Sequence, residues 1–280
     1  MLDVRRGDAR DQAGQQRTAG PAQGHRIALP ALGTRLLSPD LTLVAGWDRA
    51  ILQGEALAHA AVERARAGVA PTASGELLAG CQAAVVLLSA GRREPARSLI
   101  RLLSRAAAQE PLPEVLGPSL GLMAREFLAW TGDVEFLEKY PVGTGDGGGA
   151  PGDRREAMGD AALAVIESVV RDSWGIVPAA VEEQLAITLQ LPPGASEMAL
   201  TGVRVGRTTL TLRYRRRPGQ VVVRCEVTRG PALRLTAVLN EPANMMQVSV
   251  DEVALGGGRA VFRASGSHEV VFRDDMAGGS

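Results

Sequence analysis

The sequence predicts an α+β protein in which an array of α-hairpins, resembling part of an (α/α) barrel, is followed by an antiparallel β-sandwich. Three observations carry this expectation. Apolar residues recur at helical spacing from about Asp48 to Arg171, the spacing changes to two after Trp174, and some of the joins between helical patterns are very short. Runs of helices followed by runs of strands exclude a doubly wound sheet.

The first helical pattern, Asp48 to Ala67, carries Ile51, Leu52, Ala56, His59 and Val62, and ends before Pro71 and Gly75. Ser74 is placed to cap a second helix, whose stripe is Leu77, Leu78, Cys81, Val85 and Leu88 and whose end is Gly91. A third helix starts near Glu94, and the short "AGRR" join makes the two antiparallel neighbours. After the loop "EPLPEVLGP" a fourth helix bears Leu120, Met123, Phe127 and Leu128. In "WTGD", Gly132 stops it in a left-handed conformation and Asp133 caps the next helix, which turns Phe136 and Tyr140 inward. A Gly-rich linker, 141–152, precedes a last helix from about Asp153 to Arg171.

Strands are expected in "TTLTLRYRR", "QVVVRCEV" and "ALRLTAVL", with turns at Pro218-Gly219 and Arg229-Gly230-Pro231, and in three later runs near "QVSVDEV", "RAVFRAS" and "HEVVFR". The expected domains are a mostly disordered tail over 1–40, a helical domain over 41–173 and a β-domain over 174–275.

Composition narrows the function classes. The chain has 280 residues, 45% hydrophobic and 22% charged, enough for a real core. Lys plus Arg and Asp plus Glu are both 31, so no global field draws nucleic acid or an anionic membrane. The longest uncharged apolar window, Leu77 to Gly91, is shorter than the roughly 20 residues a spanning helix needs. No continuous apolar run opens the sequence, and the expected compartment is the cytoplasm. Cys81 and Cys225 each fall on an apolar face and read as reduced core thiols.

Two stretches carry a family resemblance. "LAWTGDVEFLEKYPV" resembles the helix corner of six-hairpin (α/α)-barrel glycosidases of the bacterial debranching-enzyme and glucoamylase type. "DSWGIVPAAVEEQLAITLQLPPGASEMALTGVRVGRTTLTLRY" is similar to the passage where their last barrel helix gives way to a C-terminal β-domain. The resemblance covers about 41 to 240 with gaps, and about six helices can be placed, roughly half of such a barrel. It implies a carbohydrate-active, glycoside hydrolase-like chain that acts on or binds an α-glucosidic oligosaccharide. The alternative is a non-catalytic accessory or remnant subunit, whose incomplete barrel binds a homo-oligomeric or other protein partner.

Glycoside hydrolysis needs two carboxylates facing one sugar. The candidates are Glu114, in the loop "EPLPEVLGP", and Asp48, in "GWDRA", with Trp47, Arg49 and Trp130 to hold the sugar. The residues also have plainer readings, Asp48 as a helix cap, Glu114 as a solvated acid and the tryptophans as core. "GPSLG" matches the nucleophile-elbow pattern around Ser119, but no strand precedes it and the one later histidine is His268. "GTGDGG" lacks the strand and helix of a dinucleotide site. The spacing of His and Cys gives no metal signature, and no cofactor is expected. Arg213, Arg215 and Arg217 alternate with Leu212 and Tyr214, which suits a solvated sheet face better than a nucleic-acid surface.

Overall fold

The computed structural model describes residues 33–67, 74–109, 116–142, 161–190, 192, 194–240 and 246–274. Within them, an array of helices packs on a two-sheet β-structure in the order the sequence predicts.

The first helix, α1 (Leu41–Arg66), begins earlier than Asp48. Asp40 is its cap, accepting from the backbone N–H groups of Thr42 and Leu43 at 2.9 and 3.1 Å. A short strand precedes it, within the stretch expected as a mostly disordered tail. Arg35–Leu37 forms strand β1, paired antiparallel with Thr201, Leu200 and Ala199.

Next come α2 (Ser74–Ser89) and α3 (Arg93–Gln109), a hairpin whose corner at Ala90 also accepts from the Thr34 N–H at 2.8 Å. The corner between α4 (Gly117–Thr131) and α5 (Val134–Lys139) forms as expected. Gly132 sits at φ 69° and donates to Leu128 O, while the Asp133 carboxylate accepts from Phe136 N at 3.1 Å. The two aromatics of this corner then meet, the Phe127 and Phe136 rings lying 4.8 Å apart. Of the last helix the described part is α6 (Ala161–Glu167), which widens into a π-helical turn over Ser168–Ser173. The rest of that expected helix, most of the Gly-rich linker and the Ser74 capping contact lie outside the described residues.

Three strands follow at once: β2 (Val177–Ala179), β3 (Gln184–Leu189) and β4 (Glu197–Val205). Then come β5 (Thr208–Arg217), β6 (Gln220–Arg229) and β7 (Leu233–Leu239). The expected "QVSVDEV" strand is in fact a hairpin, β8 (Met246–Val250) and β9 (Val253–Leu255), because Asp251 and Glu252 both adopt positive φ, 49° and 70°. The last two strands are β10 (Arg259–Ala264) and β11 (Ser267–Asp274).

One sheet has seven strands in the order β1-β4-β5-β6-β11-β8-β9, and the other four, β10-β7-β3-β2. Every pairing is antiparallel except β3 with β7, so the sandwich is mixed at that point. The Arg229–Pro231 turn is a corner that carries the chain from one sheet to the other, since β6 and β7 belong to different sheets.

A single apolar core runs from the helices into the inner sheet faces. Trp174, immediately after the π-turn, lies 5.4 Å from Tyr214 on β5, and both are 0% exposed. Gly175 lets the chain enter the sheet at this point. Its φ is 56°, and a Cβ there would come within 2.3 Å of Thr188 O.

Candidate functional site

Glu114 lies outside the described residues. Asp48 stands within α1, on its second turn, and is neither a loop residue nor a cap; it is half-buried, with Arg49 exposed beside it. This corrects the reading of Asp48 as a helix cap, because Asp40 already caps the helix. Trp47 and Trp130 are 0% and 1% exposed, so neither ring offers a face to a sugar in this arrangement. Trp47 Nε1–H donates to Thr34 O at 3.4 Å, and Trp130 Nε1–H donates to Glu126 Oε2 at 3.1 Å. Both indoles thus have their polar handle satisfied inside the core.

A buried polar seam joins α4 to the start of the β-structure, and its residues escaped the sequence reading. Glu126 is 7% exposed and is ion-paired to Arg171 on the π-turn, while its Oε2 also takes the Trp130 N–H. Arg171 additionally donates to Ile176 O and stacks over the Trp130 ring at 5.8 Å. An acid on the inward stripe of α4, three residues after Met123 and four before Trp130, is the signal that would have found it. Held by an arginine and an indole, Glu126 is a structural carboxylate.

Arg93, at the start of α3, bridges the helices to the β4–β5 turn. Its guanidinium donates to Gly206 O at 2.6 Å, Trp130 O at 2.8 Å and Arg204 O at 3.1 Å. Burial first, then the nearby Arg204 and Arg97 charges, bring its pKa down to about 10, so it stays cationic at neutral pH.

Ser119 is 8% exposed within α4, and the segment that leads into that helix lies outside the described residues. His268, on β11, is engaged at both ring nitrogens. Nδ1 lies 2.7 Å from Asp251 Oδ2, and Nε2 accepts from the Ser265 N–H at 3.2 Å, which ties the β8–β9 turn to the β10–β11 turn. Asp251 also accepts from Glu269 N at 2.8 Å, and that bond together with His268 holds its carboxyl below the ordinary carboxylate range.

On the outer face of the seven-stranded sheet, Arg213 and Arg215 are exposed while Leu212 and Tyr214 are buried, as alternation requires. Arg215 pairs with Glu197 at 3.3 Å and Arg224 with Glu269 at 3.7 Å. Two grooves open on this face, one of about 350 Å³ beside β1 and one of about 610 Å³ over β8, β9 and β11. Among the described residues, no group of three His, Cys, Asp or Glu is arranged to hold a metal ion. No described helix is long and apolar enough to cross a membrane.

No family model and no curated protein matches the chain. Among solved structures, it is similar to an α-L-rhamnosidase from Dictyoglumus thermophilum at 8% identity and TM-score 0.31, over 72% of this chain and 31% of that one. A Streptomyces avermitilis α-L-rhamnosidase solved with L-rhamnose gives 17% identity and 0.29, over 82% and 26%. Ara127N-Se, a GH127 β-L-arabinofuranosidase from Geobacillus stearothermophilus T6, gives 10% and 0.30, over 70% and 41%. The chain thus spans about a quarter to two-fifths of these chains. Superpositions this loose carry no argument about what it does.

Proposed function

We propose that this chain is a carbohydrate-directed, glycoside hydrolase-like protein whose ligand is an α-glucosidic or related oligosaccharide. The observation that supports the reading is the join between helices and sheet. The segment Asp172 to Ile176, part of the stretch that resembles the barrel-to-β-domain passage of six-hairpin glycosidases, does connect the last helix to the β-structure, with Trp174 buried in their shared core. In this proposal Glu114 is the acid, and Asp48 with Arg49 is the sugar-holding group, reached from the exposed side of α1. The test is turnover of a panel of aryl α- and β-glycosides by the parent and by Glu114→Gln. Hydrolysis lost in the variant at unchanged melting temperature supports a catalytic role, whereas turnover equal in both removes Glu114 from it.

A second reading is that the chain docks a protein partner through its helices. It is favoured by the outer stripe of α1, where Leu41 and Leu52 are 78% and 52% exposed and Ala45 and Ala56 are exposed on the same side. Sedimentation of the parent and of Leu52→Glu decides it. A dimer or larger species that the variant dissolves supports docking, and a monomer at all concentrations opposes self-association.

A further inference from the structure

The outer face of the seven-stranded sheet carries a trough whose walls and floor follow from the strand register. Residues two apart on a strand share a face, and partners across strands stand in rows. One such row runs Val222, Val271, Ser249, Ala254 from β6 through β11 and β8 to β9. All four side chains are small. The row on one side holds Arg224 and Glu269, and is continued by Asp251, which accepts from the Glu269 N–H. The row on the other side holds Gln220, Arg273 and Gln247. A floor of small side chains between two rows of long polar ones is a trough running across the strands. Its part over β11, β8 and β9 is the groove of about 610 Å³, a volume within the range of small-ligand sites.

We propose that this trough binds a short, uncharged oligosaccharide lying across β11, β8 and β9. The walls stand four residues apart along the strands, roughly 13 Å between Cα positions, and the three strands span roughly 10 Å. Val271 and Ala254 give the floor apolar contact for the C–H face of a sugar ring. Glu252 and Glu269 accept hydrogen bonds from hydroxyl groups, and Arg273 and Gln247 donate to them. Asp251 is already committed to His268 and the Glu269 N–H, so its part is to fix the wall. Walls and floor together hold more acids than arginines, with Asp251, Glu252 and Glu269 against Arg273 and Arg224, which opposes a polyanion. The absence of an aromatic side chain among the lining residues opposes stacked nucleotide bases as well.

The inference shares the ligand class of the reading above but uses a different face, so the two fail separately. Calorimetric titration of the full chain with maltotriose, cellotriose and xylotriose, and in parallel with a lysine-rich peptide and oligo-dT, tests it. The expected result is binding of at least one trisaccharide, weakened about tenfold or more by Ser249→Trp, which fills the floor, and retained in Glu114→Gln. If Ser249→Trp does not fold, Arg273→Ala at the exposed end of the trough takes its place, with a smaller loss expected. No trisaccharide binding, binding that neither trough variant changes, or heat only with the peptide or the oligonucleotide overturns the proposal. A parent that binds in the trough yet hydrolyses no glycoside removes the catalytic reading and leaves this one standing.

Discussion

Glu126, in the middle of α4, is ion-paired with Arg171 on the π-turn that ends α6, and both are largely buried. The pair ties the helical array to the segment that enters the sheet. Removing one partner strands the other charge in the core, so Glu126→Leu and Arg171→Leu are each expected to destabilise the protein by on the order of 3–5 kcal/mol in urea unfolding. The double replacement should cost less than either single change, because no charge is then left buried.

Gly175 is the second pressure point of the same join. Gly175→Ala places a methyl group against Thr188 O in a backbone conformation that L-residues avoid. A loss of more than about 1 kcal/mol is expected from chemical denaturation, with the unfolding still a single transition. Gly194→Ala, also at positive φ but with open space around the new Cβ, serves as the control for strain without a clash.

Asp251 should make stability depend on pH in the acid range. Its folded pKa is depressed, chiefly by the Glu269 N–H and then by His268, so its contribution is present above the unfolded value near 3.9. That contribution is lost as pH falls through the folded value. The melting temperature of the parent should therefore exceed that of Asp251→Asn at pH 5 to 7, and the gap should close below about pH 4. Asn tolerates positive φ, so the comparison reports the carboxylate and not the backbone.

The thiols give a simple probe of core integrity. Burial pushes both Cys81 and Cys225 up to about 12, and neither is in a disulfide. In a thiol-labelling assay at pH 8 the native protein should react slowly at both positions, and both should react promptly in denaturant. Prompt labelling of one cysteine without denaturant would contradict its placement in the core.

The strongly periodic parts of this architecture were legible in the sequence. Leu212 and Tyr214 alternate with arginines because one sheet face is buried and the other wet, and Gly132 with Asp133 spells a helix stop and start in adjacent residues. The start of α1 was not, since "LTLV" after Asp40 has the apolar and β-branched look of a strand although Asp40 caps it. Nor was the β8–β9 hairpin, whose turn uses Asp251 and Glu252 where a glycine would have announced it. The seam was hidden for another reason. Arg171 is 45 residues from Glu126 in the chain, and only the tertiary packing of α4 on the π-turn brings the two charges together. Among the candidate site residues, Trp47 and Trp130 show the limit of reading rarity as function, because a large ring in a chain with few aromatics fills core first.

Carbohydrate recognition is the centre of this account, and a glycan array probed with the labelled full-length chain measures it directly. Retention on neutral oligosaccharide spots is expected, with competition by the same free sugar and little retention on sulfated or phosphorylated ones. Retention on no neutral saccharide, or on anionic spots alone with a steep loss as salt is raised, would contradict it.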